Sequence, residues 1–450
     1  MNFKFSLHEL HTILNNNLIN TTNVSLAVIE GVATDTRTLR TGEIFIALTG
    51  EKFDGHNFVS KAIAKGAVGT IVSRPINELN VPQFVVKDTL YAYQQIARWW
   101  RDRFAIPVIG ITGSVGKTTT KELIAAVLKT QGKVLKTQAN FNNEIGVPKT
   151  LLEIAPEDNY AVIEMAMRAS GEIALLTNIA RPTIGVITNV GTAHIGRLGS
   201  VEAIAKAKCE LLENMPTSSI AILNYDNSLL METAAKVWQG ETITYGLTGG
   251  NVRGELTDNN NLKVENQVFP LPLPGVHNAS NYLAAIATAK TLEIDLTLLT
   301  TGLDVELPKG RARRYNLAND IVLLDETYNA GLESMLAALE MLKETQGNRH
   351  IAVLGTMKEL GEHSAEFHYR VGEKARELEI DLLLVLADET ATKSIADGAV
   401  GVMSECFSDR DCLIDRLKSV VRSGDRILFK ASNSVGLNKA IEKIKEHQST

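Results

Sequence analysis

Apolar residues recur along the chain in short runs, separated by stretches with helical spacing, and this alternation predicts an α/β protein. Ser6, with Glu9 three residues on, reads as the N-cap of a short helix ending near Leu14. Strand-like runs follow at 27–29, 43–48 and 69–72, with a helical pattern at 58–65 between the last two. A second helix, 91–104, carries Trp99 and Trp100, which read as packing between units rather than as ligand-stacking rings. Pro107 marks the boundary before the next strand. Further strands are predicted at 108–111, 134–135, 160–165, 184–190, 220–223, 242–246 and 262–264, with helices at 121–128, 201–214 and 282–290. A last alternation places strands at 322–325, 350–355, 381–386 and 426–430 among helices at 334–345, 363–378 and 436–446. Three domains are expected: a small α/β unit over 1–104, a central P-loop-type α/β unit over 105–308, and a Rossmann-like unit over 309–450. The last has no G-x-G-x-x-G fingerprint, so dinucleotide binding is not expected there.

The strand at 108–111 leads into Thr112, Gly113, Ser114, Val115, Gly116, Lys117, Thr118 and Thr119, and then into a helix. A strand, a glycine turn and a helix start gather backbone N–H groups around one anion. Gly113 and Gly116 let the backbone approach phosphate oxygens, Lys117 reaches the β/γ-phosphates, and Thr118 offers a hydroxyl to Mg²⁺. The strict G-x-x-x-x-G-K-[ST] spacing is not met, because position 111 is Ile.

Other positions carry two readings each. Glu164 ends an apolar strand one β-unit after the phosphate loop, where P-loop proteins keep a carboxylate for Mg²⁺; the alternative is an ordinary strand-end charge. His194 lies in a turn after a buried-type strand, at the end of the sheet where ligands gather. Lys206 and Lys208, two apart on one helix, face different directions, so at least one is expected to be solvated. Asn140, Asn142 and Asn143 crowd one loop, as a hydrated turn or as a grip on a polar ligand. Asn278, at the start of the predicted 282–290 helix, either caps it or reads an adenine edge. The clusters around Thr36 and Arg37 and around Asp54 and His56 read equally as solvated turns or as sites.

Composition narrows the field little. At 450 residues, with 44% hydrophobic and 22% charged residues, the chain has an ordinary globular balance. Its net charge of −6 gives no basic footprint, so no nucleic-acid partner is expected. Three cysteines without metal-ligand spacing suit a reducing cytoplasm. No signal-like N-terminus is expected, and no apolar run reaches the roughly 18 residues a membrane span needs.

Taken in order, Thr34-Asp35-Thr36-Arg37, Asp54-Gly55-His56, the 112–119 loop, the 140–148 loop, Ala193-His194-Ile195, Ala207-Lys208, His277-Asn278 with Asn281, Gly310-Arg311, Tyr328-Asn329-Ala330 and the 360–364 segment resemble the Mur ligase family over essentially the whole chain. Within that family the chain looks most like the branch that adds D-alanyl-D-alanine to a UDP-N-acetylmuramoyl-tripeptide. The resemblance implies ATP-dependent amide formation through an acyl phosphate, by a cytoplasmic monomer with a UDP-binding first domain. It implies that Thr36, Arg37, Asp54, His56, Asn142, Asn143, Tyr328 and Asn329 contact these substrates. ATP would be held by residues 113–119 together with Asn278, Arg311, Asp325 and Glu326. One Mg²⁺ would fall to Thr118 and Glu164, and a second to His194 and a carbamylated Lys208, leaving Lys206 solvated; Lys117, His194 and Lys208 form the implied catalytic set. The chain departs from the family pattern at Glu326, Gly331, Leu332, Thr356 and Asn433. Alternatives are a sister ligase adding the third stem residue, a folate polyglutamate-type ligase, and a nucleotide-regulated binding protein that makes no product.

Overall fold

The computed structural model describes residues 4–15, 17–22, 28–258 and 260–448. Ala27, assigned to a strand by its pattern, lies outside them, and the strand there is Val28–Ile29. The opening helix is Leu7–Ile13. Ser6 Oγ accepts the Glu9 N–H at 3.1 Å while the Glu9 carboxylate accepts the Ser6 N–H at 2.8 Å, so the capping box forms as read.

Three main sheets carry the fold. The first runs Leu18–Thr22, Gln83–Val86, Gly69–Val72, Glu43–Ile46, Gly31–Ala33 in spatial order. Helix Thr89–Arg101 leaves this unit and joins it to the next. Trp100 is buried and its indole Nε1 donates to the Ile154 carbonyl at 3.0 Å, while Arg101 donates through Nε to Ala180 O and through Nη2 to Arg181 O. The tryptophan is thus a packing residue between units, as expected from its place.

The central sheet has nine strands. In its parallel part, Val108–Thr112 lies between Tyr160–Glu164 on one side and Ile184–Ile187 on the other. From Val108–Thr112 the chain first jumps to the edge strand Val134–Lys136 and then fills the place between them with Tyr160–Glu164. It then crosses and builds on the other side through Ile184–Ile187, Ile220–Asn224 and Glu241–Gly246. That reversal opens a crevice at the carboxyl ends of the central strands, where open α/β sheets bind ligands. In the third sheet the chain builds one way through Arg349–Gly355, Leu382–Leu386 and Ser404–Phe407, and its last strand slots in beside Val322–Glu326. Asp425–Lys430 is buried along its whole length between Val322–Glu326 and Arg349–Gly355. Its first residue, Asp425, holds Arg349 at 2.7 Å, and its last, Lys430, ends at the crevice.

The pattern reading and the structure differ in places. Helix Val276–Thr291 begins six residues before 282, because Val276 and His277 lack the apolar spacing that marks a helix yet are helical behind Gly275 at φ 96°. Helices Glu172–Ala180, Glu389–Gly398 and Arg410–Val420 and strand Ser404–Phe407 are absent from the pattern reading.

Candidate active site

The carboxyl ends of the central and third sheets face each other across a cleft of about 890 Å³. Its floor is the turn at 113–116. A Cβ on Gly113 would stand 1.9 Å from Thr188 Oγ1, and Gly116 has φ 83° with Asn281 Oδ1 only 2.5 Å from where its Cβ would be, so both positions require glycine. The turn is braced from behind: Thr188 Oγ1 donates to Val115 O at 2.6 Å, Asn189 Oδ1 accepts Val115 N–H at 3.0 Å, and Ser114 Oγ accepts Gly191 N–H at 2.8 Å. The half-buried Lys117 side chain donates to the carbonyls of Gly113 and Ser114 at 2.7 and 3.3 Å. Burial lowers its pKa to about 8, with the Arg311 charge adding to the shift and Glu164 opposing it.

Glu164 enters from the neighbouring strand, paired in register with Ile111. Its Oε1 accepts from Asn142 Nδ2 at 2.8 Å, and its buried Oε2 has no hydrogen-bond partner among the described residues. Lys121 Nζ, 3.7 Å from Oε2, donates instead to Thr137 O at 2.8 Å. Lys208 projects from helix Val201–Asn214, which Ser200 caps through a 3.1 Å bond to Ala203 N–H. Lys208 is 1% exposed and has no hydrogen bond or ion pair among the described residues, whereas Lys206 is exposed. Burial, and then the Lys117 charge, hold the Lys208 amine well below the usual lysine range.

His194 stands at φ 69° and faces the third unit, where its Nδ1 meets Glu359 Oε2 at 2.6 Å. Burial and the Lys117 charge lower its pKa against the pull of Glu359. Burial alone would raise the Glu359 carboxyl, but its bonds and charge contacts with His194 and Arg197 bring it below its ordinary value. On the far wall, Lys430 Nζ donates to Asn329 O at 3.0 Å and lies 3.9 Å from Glu326 Oε2, while the Arg311 guanidinium stacks 3.9 Å above the Tyr328 ring. Burial lowers the Lys430 pKa and raises that of Glu326, each against the other's charge. Lys117, the Glu164 carboxylate and the N-terminal end of helix Lys117–Lys129 thus line one cleft, an arrangement that suits an anion.

Family models match three consecutive stretches: "Mur ligase family, catalytic domain" at 28–99, "Mur ligase middle domain" at 111–289, and "Mur ligase, glutamate ligase domain" at 310–433. The UDP-N-acetylmuramoyl-tripeptide–D-alanyl-D-alanine ligase of Synechocystis sp. is 58% identical over 99% of this chain and 98% of its own length. The chain belongs to the Mur ligase family. Among solved structures, MurF from Acinetobacter baumannii superposes with a TM-score of 0.90 at 30% identity, over 99% of each chain. MurF from Thermotoga maritima in complex with ADP gives 0.83 at 29% identity, over 93% of this chain and 98% of that one.

In this Mur ligase the cleft gathers Ser114 to Thr119, Glu164, His194, Asn142, Asn143, Asn278, Arg311, Glu326, Tyr328 and Asn329 along its lining. Gly113, the first residue of the turn, and the buried Lys208 are not on the lining, but Lys208 is close enough for its charge to act on the His194 ring. Asp325 is not on the lining: its Oδ1 is held by Thr327 N–H and Oγ1 at 3.1 and 2.7 Å, so the acidic pair splits and only Glu326 faces the cleft. Asn278 does not cap its helix; its Nδ2 donates back to Pro274 O at 2.7 Å, and Gly275 holds the N-cap position. Thr36, Arg37, Asp54 and His56 sit apart, on the first unit. There Asp54 is shared between His56 Nδ1 and Arg74, and His56 Nε2 accepts Ser73 N–H, so that histidine is locked in its tautomer. Asp35, bonded by Arg37, also feels the charge of Lys149, which places this loop toward the 140–149 segment of the central unit.

Sequence reasoning missed Lys430, Glu333 and Glu359. Lys430 carries the signal used for Glu164, a charge closing a buried parallel strand. Glu333 accepts from Thr192 N–H at 2.7 Å and from Thr192 Oγ1 at 3.1 Å, a bond between units that no local pattern announces. Among the described residues no three His, Cys, Asp or Glu side chains converge as a ready-made metal cage.

Proposed function

We propose that this Mur ligase joins D-alanyl-D-alanine to a UDP-N-acetylmuramoyl-tripeptide at the cost of ATP, in building peptidoglycan precursors. Full-length similarity to ligases of that name supports the reading, and the neighbouring ADP complex supports ATP as the nucleotide. The observation that carries it is the placing of Lys117 beside Glu164, whose Oε2 accepts no hydrogen bond among the described residues, and beside the buried Lys208, at one glycine turn.

A carboxylate is a poor electrophile, so the tripeptide carboxylate first attacks the γ-phosphate of ATP, forming an acyl phosphate and releasing ADP. The dipeptide amine then attacks the acyl carbon, loses a proton, and expels phosphate. Lys117 meets the phosphates, and the N–H groups at the start of helix Lys117–Lys129 hold the transferring group; such catalysis is mostly positioning and charge stabilisation. The residues fit two Mg²⁺. Glu164 Oε2 with the Thr118 hydroxyl suits one hard cation, and His194 with a carbamate on Lys208 suits another. Bound Mg²⁺ supplies neutralisation of phosphate charge. Burial lowers the Lys208 pKa and so favours the free lone pair that adds to CO₂, giving an N-carboxylate and one proton. His194, in this reading, belongs to the cation and is not a general base.

The tripeptide carrier extends from the Asp35–Arg37 and Asp54–His56 loops of the first unit, past Lys149 and Asn142, to the turn. The domains divide near residues 105 and 309, with hinges there that close the cleft. The protein works as a cytoplasmic monomer; its cysteines are all free, and among the described residues no helix is long and apolar enough to cross a membrane.

The decisive experiment offers purified protein ATP, the UDP-linked tripeptide and D-alanyl-D-alanine, and weighs the product. Expected are ADP, phosphate and the tripeptide carrier heavier by one dipeptide less water, with a hydroxamate trapped by hydroxylamine when the dipeptide is left out. No nucleotide consumption by the wild type, or normal turnover in Lys117→Ala, would end the proposal.

A further inference from the structure

His194 and Glu359 lie 165 residues apart and on different units, yet both hold left-handed backbone, at φ 69° and 63°, and meet at 2.6 Å. Non-glycine residues keep such backbone only where their surroundings hold them there. Those surroundings are one contact. Gly196 N–H donates to Glu359 O at 3.2 Å, the Gly196 α-carbon lies against Gly361, and Arg197 donates to the second Glu359 oxygen at 3.1 Å. Glu359 bonds Nδ1 of His194 only, and Nε2 has no hydrogen bond among the described residues. With Nδ1 donating to a carboxylate, the ring is fixed in the tautomer that keeps the Nε2 lone pair free, which is how histidines that bind cations are commonly oriented.

Resting on the reading of His194 as a cation-binding residue, we propose that Glu359 is its positioning residue, so that the second cation site is complete only when the third unit is docked on the central one. Binding of that cation and docking then favour each other to the same degree. The neighbouring bridge, Glu333 to Thr192, joins the same two units without touching His194, and so separates orientation of the ring from docking alone.

The test titrates Mn²⁺ into protein saturated with a non-hydrolysable ATP analogue, in bicarbonate, reading free Mn²⁺ by its EPR signal; thermal melts verify that each variant folds. Glu359→Gln should weaken the second Mn²⁺ equivalent about tenfold or more. His194→Ala should weaken it at least as much, the double variant should be no worse than His194→Ala, and Glu333→Gln, which loosens docking without touching the ring, should weaken it clearly less than Glu359→Gln. Equal weakening in Glu333→Gln would reduce Glu359 to a docking contact and overturn the inference. Wild-type binding in Glu359→Gln with weakened binding in His194→Ala would overturn it while sparing the cation role of His194. Wild-type binding in His194→Ala would remove that role itself, and the inference with it.

Discussion

Replacing Gly196 by alanine strikes the contact between the central and third units without removing any functional group. Gly196 lies in the short helix Ile195–Leu198, where alanine is better than glycine by ~1 kcal/mol. Its new methyl, however, would stand 2.5 Å from Gly361 N, 2.8 Å from Glu359 O and 2.8 Å from Leu360 C. All three are backbone atoms, so no side chain can swing aside, and the facing loop must retreat by roughly 1 Å to reach van der Waals distance. The Gly196–Glu359 backbone bond, worth ~1 kcal/mol, is lost in that retreat, which cancels the helical gain. Stability should therefore change little, while Glu359 and the adjoining wall of the cleft are displaced. Displacement on that scale costs on the order of 100-fold in rate. The assay is ligation kcat/KM from ADP release, beside a thermal melt. A variant melting like wild type and losing that factor in kcat/KM fits the docked arrangement as the working one. A variant that keeps kcat/KM within about threefold would refute it.

Lys208→Ala should lose ligation and recover part of it with added short carboxylic acids, whereas Lys206→Ala should need no rescue; ADP release with and without acetate decides between them. Trp100→Phe keeps the ring contact with Phe104 but removes the donor to Ile154 O, and should cost ~1 kcal/mol, read as a lower denaturant midpoint. His277 is held to a pKa of about 4, by burial first and by the Lys430 charge second. The unfolded chain therefore binds a proton that the folded one refuses, and stability should fall as pH drops from 6.5 towards 4. His277→Gln should flatten that part of the melting-temperature profile; an unchanged slope would show that the ring is not its source.

Much of this was legible in the residues because it is local. Ser6 with Glu9, Ser200 before its helix, and the glycines beside Lys117 each act within one turn of chain, and Glu164 declares itself as a charge ending an apolar strand. The separation of Lys206 from Lys208 followed from helical phase, although only packing decided which one is buried. Asn278 was misjudged as a possible cap because Pro272, Pro274 and Gly275 read as loop up to the helix, whereas the chain is already helical at Val276. What stayed hidden is set by docking: Glu333 with Thr192 and Glu359 with His194 pair across 141 and 165 residues, beyond any periodicity. Helices Glu389–Gly398 and Arg410–Val420 escape the pattern because they are polar on most sides and touch the core through few residues, such as Ala391, Ile395 and Leu413.

Because the parallel strands around Val108–Thr112 and Asp425–Lys430 both point their carboxyl ends inward, the opposite rims of those sheets take no part in the chemistry. Exposed residues there, such as Ser218 ahead of Ile220–Asn224 and Asn348 ahead of Arg349–Gly355, are natural anchor points for a donor and acceptor dye. With the exposed thiols of Cys406 and Cys412 first replaced by serine, cysteines at those two rims would report, one molecule at a time, whether the cleft closes as proposed above.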